Sequence, residues 1–136
     1  MRKNSAKEFL KLLDIMDKLL SPKGCPWDRE QTHKTLIKHM HSEAKEVEQA
    51  VRKNDWENLE EELGDLLLQV VFHAALAQRE KRFDMTGVLR GINSKLVRRH
   101  PHVFGKGKKL GSAGQVLVQW DAIKKEEKRA RKTAKK

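Results

Sequence analysis

Leu36, Met40, Ala44, Val47 and Val51 recur at intervals of four, four, three and four residues, the period of one face of a helix. Lys53-Asn54-Asp55 then separates this stretch from a second one, in which Leu59, Leu63, Leu66, Leu67, Val70, Val71 and Ala74 continue at helical spacing. A turn this short forces two helices to fold back on each other as antiparallel neighbours. The spacing predicts helices over about Thr32 to Lys53 and about Trp56 to Gln78, with Asp55 or Asn54 as the cap of the second. Within the second, Leu66 to Phe72 is apolar almost all round. A helix of that kind is buried on more than one side, which in so small a chain predicts a subunit interface.

The remaining blocks read the same way. Ser5 to Leu20 places Phe9, Leu12, Leu13, Met16, Leu19 and Leu20 on one face, with Ser5 and Glu8 spaced as a capping box. Ser21-Pro22-Lys23-Gly24-Cys25-Pro26 breaks that helix. A fourth block, about Asp84 to Arg99, turns Val88, Ile92 and Leu96 inward and is ended by Pro101. After the Gly/Lys loop from Gly105 to Gly111, Ser112 and Gln115 form a second capping box and open a last helix through Val116, Trp120 and Ile123. No alternating run predicts a strand. The expectation is an all-α bundle of four or five helices over residues 1–127, followed by a tail over 128–136.

Charge separates the tail from the body. The chain of 136 residues carries a net charge of +11, and without the six basic side chains of its last nine residues the charge is +5. Lys128, Arg129, Arg131, Lys132, Lys135 and Lys136 have no apolar face to bury, so the tail reads as frayed helix or disorder. It is either a solvated tail or a contact for nucleic acid or another polyanion. A hydrophobic content of 38% and an aromatic content of 5% make a lean core, the kind completed by pairing with another copy. No apolar run approaches the length of about 20 residues that spans a bilayer, and no signal-peptide pattern opens the sequence. The single cysteine, Cys25, excludes an intrachain disulfide. The expected setting is the reducing cytoplasm, with no membrane.

The two hairpin helices each carry a pair of acids three residues apart, Glu43/Glu46 and Glu62/Asp65. Residues three apart share a helix face, and each pair flanks its own apolar stripe. Asn54 lies eight residues from both Glu46 and Glu62, and eleven from both Glu43 and Asp65. In an antiparallel hairpin those distances put all four carboxylates level. Two like charges near 5 Å cost roughly 3 kcal/mol at an effective dielectric of 20. A hard divalent cation removes the conflict, and oxygen-only ligands favour Mg²⁺ or Mn²⁺ over zinc. The competing reading is four solvated surface acids in salt bridges. A diiron bundle needs two Glu-x-x-His elements, and only Glu30/His33 has that spacing.

An all-carboxylate Mg²⁺ site beside basic residues suits phosphate chemistry. Lys95, Arg98 and Arg99 fall within about one turn and either hold a polyphosphate or form an exposed basic helix end favoured by the macrodipole. Trp120 and Lys124, four apart on one face, either stack a base and hold a phosphate or, for Trp120, anchor a core.

Five segments in order resemble the MazG family of nucleoside triphosphate pyrophosphohydrolases, over about Leu19 to Glu127. They are Cys25-Pro26-Trp27-Asp28 with Gln31-Thr32-His33; Glu43-Ala44 with Glu46-Val47; Glu61 through Ala74; Lys95 through Gly105; and Trp120 with Ala122-Ile123-Lys124. The resemblance implies an all-α bundle, usually dimeric, that hydrolyses a nucleoside triphosphate to the monophosphate and pyrophosphate with Mg²⁺. It implies Glu43, Glu46, Glu62 and Asp65 as metal ligands and catalytic residues, Lys95, Arg98 and Arg99 as phosphate contacts, and Trp120 as a nucleotide contact. Asn58 and Glu61 also line the implied nucleotide site. The family's first motif normally opens with two adjacent glutamates, whereas here Ser42 takes the first place and Glu43 the second. Ile37-Lys38-His39-Met40-His41 also departs from the usual apolar-aromatic pattern.

The expected protein is therefore an Mg²⁺-dependent pyrophosphohydrolase in which water attacks the α-phosphorus, working as a homodimer or higher homo-oligomer. Two alternatives follow from the same residues. One is a nucleotide-binding sensor or regulator weakened by Ser42; the other is a basic nucleic-acid-binding module acting through the tail.

Overall fold

The computed structural model describes residues 2–134. Among these there is no strand, and seven helices follow one another: α1 Arg2–Leu19, α2 Pro26–Glu30, α3 Ile37–Arg52, α4 Trp56–Arg79, α5 Met85–Arg99, α6 Pro101–Phe104 and α7 Ala113–Ala134. The five long helices are those expected. The two single-turn pieces, α2 and α6, are additions to the expected four or five. Each opens on a proline, whose fixed φ and missing N–H suit the first helical position, so the residues read as breakers also start new turns. The chain divides into two compact units, Met1–Met85 and Thr86–Lys136.

The first unit is organised by the α3–α4 hairpin, with α1 packed on α4. Asn54 adopts the left-handed conformation at φ 54°. Its N–H donates to Val51 O at 3.1 Å, and the Asp55 N–H donates to Ala50 O at 3.0 Å, closing the end of α3 as a Schellman motif. Asp55, rather than Asn54, caps α4 by accepting from the Asn58 N–H at 3.2 Å. Met16, Leu36, Ala50, Val71, Phe72, Ala74, Leu76 and Ala77 form the buried core.

Several expectations shift. Helix α3 starts at Ile37, not near Thr32, because Thr32 and Thr35 bond each other's backbone N–H through their hydroxyls at 2.8 and 3.2 Å, and such side-chain bonds compete with the helix ladder. Helix α1 begins at Arg2, so Ser5 is an interior residue and its capping box with Glu8 does not form; good helix formers upstream extend the first turn. The second box forms by half: Ser112 Oγ accepts from the Gln115 N–H at 3.3 Å, while Gln115 Oε1 accepts from the Gly111 N–H at 2.9 Å, one residue before the cap, instead of from that of Ser112. Ile92 and Leu96 are exposed rather than inward, and only Val88 of that trio is half-buried.

The apolar stripe of α3 is also displaced. Ala50 is buried while Met40 and Val51 are exposed, so the face of α3 turned to α4 runs through Glu43, Val47 and Ala50. Helix α4 splits into two faces. Val71, Phe72, Ala74, Leu76 and Ala77 are buried, while Leu63, Leu67 and Val70 stay 49%, 40% and 42% exposed. Gly24 marks a close approach, since a Cβ there would lie 2.1 Å from Leu19 O.

In the second unit, Val116, Trp120 and Ile123 of α7 are half-buried, as expected. Helix α7 continues to Ala134 and carries Lys128, Arg129, Arg131 and Lys132 in helical conformation; Lys135 and Lys136 lie outside the described residues. No helix among the described residues is long and apolar enough to cross a membrane.

A second Schellman closure ends α4. Lys81 sits at φ 60°, its N–H donating to Gln78 O at 3.0 Å, while the Arg82 N–H donates to Ala77 O at 2.9 Å. A side chain in this conformation costs energy that glycine avoids. Lys81→Gly releases a left-handed penalty of roughly 1–2 kcal/mol and loses roughly 0.5–1 kcal/mol to glycine's chain entropy, so stability is expected to rise by a fraction of a kcal/mol to about 1 kcal/mol, read as a higher urea midpoint at unchanged slope.

Candidate functional site

Equal spacing from the turn brings the four acids level across the α3–α4 seam. One carboxylate oxygen from each of Glu43, Glu46, Glu62 and Asp65 lies within 4.8 Å of the other three. Burial and crowding act on these groups together. The Glu62 carboxyl is pushed up to about 7, first by its hydrogen bond with the Glu46 carboxyl, then by burial and the neighbouring negative charges. Glu43 is raised above the ordinary carboxylate range, chiefly by burial and then by the charges of Glu46 and Asp65. Oε2 of Glu43 and Oε2 of Glu62 are buried with no hydrogen-bond partner. Oxygen ligands at this separation, with buried lone pairs lacking a donor, fit a hard divalent cation.

Asn58 and Glu61 lie one turn before these ligands on α4. Asn58 is half-buried and Glu61 exposed, and neither belongs to the four-oxygen cluster. Ser42 is exposed on α3 beside Glu43.

The first unit holds a polar contact that spacing did not reveal. His33 Nδ1 and His73 Nδ1 are 2.8 Å apart with their rings stacked, and His33 Nε2 is 3.4 Å from Glu80 Oε2. Burial, and secondarily His33, lowers the His73 pKa. The two histidines are 40 positions apart, so only the packing pairs them.

Lys95, Arg98, Arg99, Trp120 and Lys124 all belong to the second unit. Lys95 and Lys124 are exposed. Arg98 and Arg99 are not a loose basic helix end, because Glu127 of α7 engages both. Arg99 Nη2 and Nε donate to Glu127 Oε1 at 3.0 and 3.3 Å, and Arg98 Nε donates to Glu127 Oε2. These contacts hold the Glu127 carboxyl down to about 2. The Arg99 guanidinium also lies 5.0 Å from the centre of the Trp120 ring, a cation–π distance. The His100 ring meets Trp120 edge-on at 5.2 Å. Glu127 was not among the expected site residues, although Trp120, Ile123 and Glu127 recur at three and four residues along one face. Arg99, Asp121, Lys124, Lys125, Lys128 and Arg131 line a trough of about 350 Å³.

The architecture and the acidic seam define an all-helical protein built around a carboxylate cluster suited to a divalent cation. The MazG nucleotide pyrophosphohydrolase domain matches residues 31–104, a span that includes the four acids, Lys95, Arg98 and Arg99. The chain is 45% identical over 126 residues to the nucleoside triphosphate pyrophosphohydrolase/pyrophosphatase MazG of Thermotoga maritima, covering 93% of this chain and 48% of that protein. It is 48% identical over 119 residues to the nucleoside triphosphate pyrophosphohydrolase of Escherichia coli strain K12, covering 87% of this chain and 45% of that protein. The crystal structure of a mazG-related protein from Thermotoga maritima superposes with a TM-score of 0.70 at 36% identity, over 85% of this chain and 97% of that one. The chain belongs to the MazG nucleotide pyrophosphohydrolase domain family. It spans about half the length of these two curated relatives.

A carboxyl that titrates higher in the folded than in the unfolded chain makes the folded state the better proton binder. The contribution of Glu62 to stability therefore falls as pH rises from its ordinary value of 4.5 through about 7. In EDTA, Glu62 is expected to pull the thermal midpoint down between about pH 5 and about pH 8, against the opposite slope that the lowered His73 pKa adds below 6.5. Millimolar Mg²⁺ should restore it at the upper end, and Glu62→Gln should remove the Glu62 decline; differential scanning fluorimetry across the pH series reads all three.

Proposed function

We propose that the chain hydrolyses nucleoside triphosphates to the monophosphate and pyrophosphate, with Mg²⁺ or Mn²⁺ held by Glu43, Glu46, Glu62 and Asp65. The observation that carries this reading is the meeting of four carboxylate oxygens within 4.8 Å, at a seam where Glu43 and Glu62 each keep a buried oxygen without a donor. The names of the relatives agree with the reaction class.

When bound, the cation supplies Lewis-acid charge to the triphosphate. The chain's residues do the rest. Water attacks the α-phosphorus, the bond to the bridging oxygen breaks, and pyrophosphate leaves. Glu43 or a neighbouring acid accepts the water's proton, a task the Ser42 hydroxyl cannot perform at neutral pH. Lys95, Arg98 and Arg99 offset the charge that develops on the phosphates. Trp120 stacks on the base, Lys124 holds a phosphate, and Asn58 and Glu61 line the nucleotide site. The exposed Leu63, Leu67 and Val70 form one stripe of α4, the face through which the chain pairs with a second copy.

Three measurements test these assignments. Glu62→Gln is expected to lower Mg²⁺-dependent pyrophosphate release by about a hundredfold or more, the scale of losing one preorganised electrostatic contact to a transition state, with an unchanged helical circular-dichroism signal. Full activity in that variant overturns the metal assignment. If the native chain binds triphosphate and Mg²⁺ calorimetrically yet releases no pyrophosphate, the sensor reading that Ser42 favours replaces hydrolysis. Leu67→Asp is expected to convert a dimer to a species near the 15.8 kDa chain mass, as read by light scattering.

A further inference from the structure

Arg98 and Arg99 are adjacent in sequence, yet one carboxylate on another helix engages both. Glu127 offers one oxygen to each: Oε1 accepts from Nε and Nη2 of Arg99, and Oε2 accepts from Nε of Arg98. The Arg99 side chain is 14% exposed and that of Glu127 15%. Arg99 is further fixed by the Trp120 ring, 5.0 Å from its guanidinium carbon. Trp120 in turn touches His100, whose Nδ1 donates to Leu96 O at 2.6 Å. The resulting assembly of two arginines, a tryptophan and a histidine has Glu127 as its shared anchor.

Which guanidinium edge is used decides what Glu127 does. A guanidinium has five N–H donors in a rigid fork. Glu127 takes the Nε–Nη2 side of Arg99 and only Nε of Arg98, so Nη1 of Arg99 and both terminal nitrogens of Arg98 have no acceptor among the described residues. A carboxylate that competed with phosphate would occupy those terminal donors. One that grips the inner edge holds the fork still and leaves its outer donors for another anion.

We propose that Glu127 is a positioning residue for nucleotide binding: it orders Arg98 and Arg99 against Trp120 so that their outer N–H groups meet the substrate's phosphates already arranged. The inference rests on the proposed function in assigning those phosphates to a nucleoside triphosphate. Arginine carries a long, freely rotating side chain. Ordering two of them before the ligand arrives removes an entropic cost from binding. Loss of Glu127 has two opposed consequences. It frees both guanidiniums, which weakens binding, and it removes a negative charge close to the phosphates, which strengthens it. The sign of the change in affinity shows which role Glu127 has.

The test uses the full chain and Glu127→Gln, with Glu127→Asp as the conservative variant. Affinities for the α,β-methylene analogues of ATP, GTP, CTP and UTP with Mg²⁺ are measured by calorimetry, alongside KM and kcat for pyrophosphate release from the natural nucleotides. Glu127→Gln is expected to raise Kd and KM about tenfold, equivalent to about 1.4 kcal/mol, and to lower kcat as well, because the same two arginines offset charge that develops in the transition state. Glu127→Asp, which keeps the charge, should recover part of the loss. Unchanged or tighter analogue binding in Glu127→Gln overturns the proposal, as does a fall in kcat at constant KM, the pattern of a partly unfolded population. If the native chain binds an analogue but releases no pyrophosphate, hydrolysis is refuted while the Kd comparison still decides the role of Glu127. If it binds none of the four, both readings fall.

Discussion

Four carboxylates meet where two antiparallel helices touch, and much of the first unit follows from that fact. A seam between helices is normally where a small domain buries its apolar side chains. Here Glu43 and Glu62 stand at the seam with a buried oxygen each, and Ala50 and Val47 supply the neighbouring apolar contact. The hydrogen bond shared with Glu46, then burial and mutual repulsion, favours the protonated form, which is why Glu62 is pushed up to about 7. The rest of the hairpin has to outweigh that penalty. Two features do so. The Schellman turn through Asn54 fixes the helix register, and the buried face of α4, from Val71 to Ala77, docks the far end of the helix into the core.

The second unit answers with the opposite charge and a different device. It has few large buried side chains and holds its helices together through polar and aromatic contacts. Glu127 draws Arg98 and Arg99 to α7, the Trp120 ring lies against Arg99, and Gln119 Nε2 is 2.9 Å from His102 Nδ1. A paired arginine gives up conformational freedom but keeps its charge. Acidic residues thus lie at an apolar seam in one unit, and basic residues are ordered by a carboxylate in the other. The acidic seam gives up stability to hold its charges together, whereas the Glu127 carboxylate, held down to about 2 by its arginines, adds stability as it orders them.

Much of this was legible in the residues. The hairpin could be read because a three-residue turn leaves no other path. The level placement of Glu43, Glu46, Glu62 and Asp65 followed from counting outward from Asn54. The caps at Asp55 and Ser112 are legible because capping is local chemistry, though Gln115 closes on Gly111 and not on Ser112. The errors were local too. Thr32 and Thr35 hold a turn that helix periodicity ignores, and the residues at 26 and 101 start short helices because proline suits a first turn as well as it ends an earlier one. Burial along α3 was misplaced by about one position, since Met40 and Val51 fit the period of the stripe as well as Ala50 does. Which of two adjacent residues faces the partner depends on how the helices roll against each other, and no periodicity carries that information.

The sequence by itself determined the helical class, the hairpin and the height at which the acids meet, because each depends on helix geometry and on intervals counted along one chain. The tertiary structure decided what the basic residues do and which apolar faces stay open. In the sequence Arg98 and Arg99 are either phosphate contacts or an exposed basic helix end, and nothing in it pairs them with Glu127, 29 and 28 positions away. His33 and His73 read as separate motif residues until packing placed them 2.8 Å apart. Ile92 and Leu96 read as core until the fold left them exposed. Contacts between distant residues depend on how helices dock, and docking is settled by the shape and charge of whole faces rather than by any interval in the chain.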